Sequence, residues 1–229
     1  MTDPTHEDAG NNDDLLLQVR TAHRLLAAYY QRLLPTINGI ASSLGLTFYG
    51  WMPSEHDRPP QFTTNVFDSW QWDLLPANCT RYTFFDAPDK DKICVGHYMV
   101  EFHVISDSGI KKENFPKGNR SQPDALNLPT SVEQADSLLR VHLYAPYQDR
   151  DANWHKDLFN NCVDPCLENE SKPQKIEDGI NSFINGFEIP LSELMTENSV
   201  ETLKNRIETM RDELINAATK ESNKQLANA

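Results

Sequence analysis

The chain has 229 residues, 38% of them hydrophobic and 24% charged, with a net charge of −13. That length suits one domain whose core needs no disulfide or metal to fold, and the charge argues against non-specific binding to nucleic acid or an anionic membrane, both of which need clustered Lys and Arg. The acidity is uneven: residues 1–14 hold five carboxylates and no Lys or Arg, residues 15–163 fourteen basic against sixteen acidic side chains, and residues 164–229 seven against thirteen. No run approaches the roughly 18 consecutive apolar residues of a membrane span. The start is acidic where a signal peptide is basic and then apolar, so the expected location is cytoplasmic, away from any membrane.

Residues 1–12 are polar and aperiodic and read as a disordered acidic tail. From an Asp13 or Asp14 cap, Leu15, Val19, Ala22, Leu26, Tyr29, Leu33, Ile37, Ile40 and Leu44 recur at three- and four-residue spacing, which predicts a long helix with one apolar face. Pro35 is expected to kink it and Gly45 to end it. Short aromatic or β-branched runs at 46–52, 80–85, 92–105, 138–145 and 183–189, bounded by turn residues, predict five strands. Their connections lack the regular helices of a parallel βαβ chain, so the sheet is expected to be antiparallel. Segments 106–136 and 146–181 read as long polar loops.

A second helix follows Ser199 as cap, with Val200, Leu203, Ile207, Met210, Leu214 and Ala217 in heptad-like register. This stripe is expected to pack on the chain's own core; a homodimer through the C-terminal helix is its alternative use. The fold class is therefore α+β, an antiparallel sheet of about five strands with long N-terminal and C-terminal helices on one face. A single domain spans 13–220, and 221–229 form a frayed tail.

Strand alternation singles out one group of side chains. Val100, Phe102 and Val104 point one way while Glu101 and His103 point the other, and Arg140, His142 and Tyr144 share the face opposite Leu139, Val141 and Leu143. If the two strands pair, Glu101, His103, Arg140, His142 and Tyr144 form one polar patch. A carboxylate, imidazoles and an Arg are the elements of acid/base work, and a water-facing strand reads the same way. On the functional reading of the patch, alanine at Glu101 and His142 together is expected to abolish function while leaving the melting temperature nearly unchanged.

Aromatics concentrate over residues 48–75, where Arg58, Phe67, Trp70 and Trp72 are candidate anchors for a protein partner. Cys162 and Cys166, with His155 upstream, have a zinc-like gap, but a closed site needs four ligands and no second pair is present. No metal or cofactor is expected. A Gly-rich phosphate loop, a G-x-S-x-G elbow and an H-E-x-x-H pair are all missing from the sequence. The reading is a non-enzymatic protein-binding module of the inhibitor, immunity or adaptor type, acting through an open sheet face and the aromatic segment. Its alternative is an acid/base or metal-dependent hydrolase built on the His/Glu/Arg patch.

Overall fold

The computed structural model describes residues 5–55, 63, 65, 67, 71–89, 91–110, 124–151, 153–161, 171–176 and 180–228. Helix α1 (Thr5–Ser43) leads into β1 (Thr47–Pro53), then β2 (Cys79–Phe85), β3 (Lys92–Ile93), β4 (Met99–Ile105), β5 (Leu138–Pro146) and β6 (Arg150–Asp151). Helix α2 (Asn153–Asn161), β7 (Ser171–Ile176), β8 (Ser182–Pro190) and helix α3 (Ser199–Ala227) complete the chain. Among the described residues the main sheet has six strands in the order β1-β2-β4-β5-β8-β7, every pair antiparallel. Strands β3 and β6 form a separate two-stranded ribbon.

The main core lies between one sheet face and the two long helices. Phe84, Val100, Phe102, Val104, Leu139, Val141, Leu143 and Phe187 meet Leu33, Ile37, Ile40 and Ala41 of α1 and Leu203, Ile207, Met210, Leu214 and Ala218 of α3. The α3 stripe is thus buried on the chain's own sheet, with Ala218 rather than Ala217 as its last buried residue, as 3.6-residue spacing requires. Asn185, at a core-facing position of β8, donates its amide to the Met210 carbonyl at 2.9 Å.

Several boundaries differ from the sequence reading. Helix α1 begins at Thr5, within the segment read as a tail. A run without apolar residues at helical spacing leaves no periodic signal in the sequence. The helix passes through Pro35 without ending. It stops at Gly45 (φ 73°), where the Leu46 N–H donates to the Ala41 carbonyl and the Gly45 N–H to that of Ser42, a Schellman closure. Ser199 is the first residue of α3 and not its cap: its hydroxyl donates back to the Leu194 carbonyl at 3.1 Å, and Asn198 holds the cap position. Helix α3 also continues past Lys220 to Ala227.

The run at 92–105 splits into β3 and β4 because Gly96 (φ 105°) allows a turn in which the Cys94 N–H donates to His97 Nδ1. Strand β7 and helix α2 lie within the segment read as a loop. The two long helices share one face as expected, but the opposite face has a cover of its own at one end. There Phe85, Met99, Tyr144 and Ile184 pack with Trp154 and Leu158 of α2, and Trp154 Nε1–H donates to Ser182 Oγ at 2.7 Å.

Candidate functional site

The register of the central strands assembles the polar patch in two rows. Thr83, Glu101 and His142 stand opposite one another across β2, β4 and β5, and Arg81, His103, Arg140 and Glu188 do so across β2, β4, β5 and β8. All lie on the face away from α1 and α3, because each alternates with a residue of the main core. The structure therefore brings together Glu101, His103, Arg140, His142 and Tyr144, and adds Arg81, Thr83 and Glu188.

The patch is not a solvated surface. Glu101, His103 and His142 are 1%, 2% and 0% exposed, and Tyr144 is fully buried. Burial of such groups demands hydrogen-bonded partners, and the face supplies several of them. The Glu101 carboxylate accepts from His142 Nδ1 at 3.2 Å and faces Arg81 Nη1 at 3.9 Å. Arg140 Nε donates to Glu188 at 2.6 Å, and Ser54, just past β1, is hydrogen-bonded with His103 Nε2 at 2.9 Å. Tyr144 sets its ring edge-on to His142, 6.4 Å between centroids.

The electrostatics follow from this burial. Desolvation first, then the positive charges of Arg81 and Arg140 and the nearby His142, hold His103 well below the ordinary histidine range, so it is neutral. With Nδ1 of His142 donating to the carboxylate, its Nε2 is the ring's second polar atom, and it is buried without a hydrogen-bond partner among the described residues; Thr83 Oγ1 is in the same position. A carboxylate that orients one ring nitrogen while the other points elsewhere is the geometry of an acid/base pair.

His155, the candidate zinc ligand upstream of the cysteines, instead sits among rings: Phe85 at 4.7 Å, Tyr49 at 5.1 Å and Trp154 at 5.1 Å between centroids. Burial, with His97 nearby, lowers its pKa to about 4. Cys162 and Cys166 lie outside the described residues. Among the described residues no three His, Cys, Asp or Glu side chains cluster closely enough to hold a metal ion. Cys79 is a buried thiol, pushed up to about 12 by desolvation and then by the charges of Glu55 and Asp107, which leaves it a poor nucleophile.

The proposed partner anchors separate. Arg58 and Trp70 lie outside the described residues, Phe67 is 89% exposed, and Trp72 is 8% exposed and packs on Ile110. Trp72 therefore serves a small satellite core and offers no ring to a partner. A different apolar surface emerges at β1, an edge strand of the sheet. Phe48 is 51% and Trp51 40% exposed, and both align with helix-face residues of β2, Phe84 and Tyr82. Leu74 and Leu75 are exposed beside the 3-10 turn Pro76–Asn78, which packs on β1.

Of the buried polar network, Arg81, Thr83 and Glu188 escaped the sequence reading although their signal was present. Both strands were expected, and Arg81 alternates with Tyr82, and Glu188 with Phe187, as the chosen residues do on their own strands.

Fold and site together define an α+β protein with a six-stranded antiparallel sheet, covered by two long helices on one face and carrying a buried ionic network on the other. The chain belongs to the PM0109 family, whose sequence model matches residues 10–216. It is similar to the Uncharacterized protein PM0109 of Pasteurella multocida (strain Pm70), 22% identical over 209 residues that cover 88% of this chain and 94% of that protein. No solved structure matches the chain. No helix among the described residues is long and apolar enough to cross a membrane.

Proposed function

We propose that this protein is a non-enzymatic protein-binding module of the inhibitor, immunity or adaptor type, whose contact surface is the aromatic edge of the sheet at β1. The observation that carries the reading is the exposure of Phe48 and Trp51 on a strand whose outer edge no described strand occupies. Exposed sheet edges pair with an incoming strand unless blunted, and adjacent aromatic side chains give such pairing its affinity and choice of partner. Leu74 and Leu75 extend the apolar surface beside the strand, and Phe67, from the aromatic segment, is also exposed. The sheet face itself is buried at its centre, so the partner surface moves from the face to the edge.

Trp51→Ala combined with Phe48→Ala is expected to weaken binding of a purified partner by about 2 kcal/mol or more, the scale of an interface hot spot. The melting temperature should change little, since half-exposed rings contribute less than core ones. Unchanged affinity in isothermal titration calorimetry would remove β1 from the interface.

A second reading, an acid/base hydrolase, is favoured by the Glu101–His142 pair with its unpartnered Nε2. It expects turnover on a panel of simple esters and phosphoesters that is lost in His142→Gln while the protein stays folded. Equal rates for the two proteins, or none from either, sink it.

A further inference from the structure

The fully buried core residues of α1 run from Leu33 to Ala41, with Tyr29 and Tyr30 half-buried against them at the edge of the core. The helix is 39 residues long, about 58 Å at 1.5 Å per residue, and from residue 12 to Ala28 every residue is exposed. The apolar stripe does not stop where the core stops. Leu15, Val19, Ala22, Leu26 and Tyr29 continue the line of Leu33 and Ile37 at the same three- and four-residue spacing, with Leu25 beside them. Leu15 is 56% and Leu25 65% exposed, and no charged side chain falls on that line. An isolated water-facing helix carries charge all round; this one carries the seam of a helix pair with nothing among the described residues opposite it.

At the base of the projecting part lies a pocket of about 450 Å³, walled by Ala28, Tyr29 and Arg32 of α1 and by Leu191 and Met195 of the 3-10 turn Leu191–Met195 that follows β8. The two features belong to one helix, about two to four turns apart, so they fit each other when two copies run antiparallel. With Ala22 at the two-fold axis, where a small side chain lets the helices approach, Leu15 of each copy stands opposite Tyr29 of the other, at the mouth of its pocket. Asp14 and Arg32 are about five turns apart and leave the helix on the same flank, so each Asp14 meets the other copy's Arg32. An isologous contact of this kind uses every element twice and closes on itself.

We infer that α1 is a self-association element: two copies of this chain pair antiparallel through residues 13–32, each setting Leu15 into the partner's pocket. The surface is distinct from the β1 edge and uses none of its residues. A single helix pair falls at the small end of stable interfaces, below about 1,200 Å², so the dimer dissociates on dilution.

Sedimentation velocity over a concentration series tests this on the full chain. The wild type is expected to move from 26.1 kDa toward twice that mass as concentration rises. Leu15→Asp with Leu25→Asp should stay at the monomer mass throughout with unchanged circular dichroism, because both positions are exposed in the monomer. Asp14→Arg and Arg32→Asp should each weaken the dimer about tenfold through two symmetric repulsions, and their combination should restore it. A wild type that stays monomeric, a Leu15/Leu25 variant that still dimerises, or a double charge reversal as weak as either single one overturns the proposal.

Discussion

Glu101→Ala is expected to lower the free energy of unfolding by about 3–5 kcal/mol at neutral pH, the cost of breaking a buried ion pair by removing one partner. Glu101 is 1% exposed, Arg81 faces it at 3.9 Å and His142 donates to it; without the carboxylate both donors stay inside. Glu101→Gln keeps the size and an acceptor oxygen and loses only the charge, so its cost falls to about 1–3 kcal/mol. Urea unfolding of the three proteins at pH 7 orders them wild type, Gln, Ala. A loss under about 1 kcal/mol for Glu101→Ala would mean that water reaches the pair and screens it. The sequence pointed the other way, to a melting temperature nearly unchanged by alanine at Glu101 and His142 together, because the alternation of β4 and β5 does not show that their polar face is covered.

The second large effect is acid lability centred on His155. Its pKa in the fold is about 4, against about 6.5 in the unfolded chain. The unfolded state therefore binds the proton first as pH falls, and folding stability drops from about pH 6.5 down to about pH 4. Each tenfold difference in proton affinity between the two states is worth about 1.4 kcal/mol, so the full effect is roughly 3 kcal/mol. His103, also lowered by burial and by Arg81, His142 and Arg140, acts in the same direction. His155→Phe places a neutral ring among Tyr49, Phe85 and Trp154 and removes one of the two contributions. Chemical denaturation at pH 7 and at pH 4.5 is expected to give a smaller stability difference for the variant than for the wild type, whatever the offset at pH 7. Equal differences would show that the imidazole reaches solvent in the folded protein.

The sequence made the sides of the elements legible but not what lies over them. The periodic stripes of α1 and α3 identified the face that meets the sheet from Leu33 onward in α1 and along α3, because helical spacing leaves little choice of face, but not how far along α1 that face is covered. Alternation along β4 and β5 placed Glu101, His103, Arg140, His142 and Tyr144 together, since strand period two is geometrically strict. Whether that face met water or protein depended on residues distant in the chain. Strand β7 was missed for a local reason: Ser171, Lys172, Pro173 and Gln174 lack β-branched character, and Pro173 is tolerated because the strand lies at a sheet edge. The exposed half of α1 hid in plain view, because its apolar spacing runs unbroken into the part that forms the core.

Native mass spectrometry of the tagged protein drawn gently from its own host's lysate, beside the Phe48→Ala/Trp51→Ala variant, tests the binding-module reading most directly. The expected result is a stoichiometric protein partner on the wild type that is missing from the variant, with both chains folded. A partner retained by the variant, or a wild type that carries none, contradicts binding through the β1 edge.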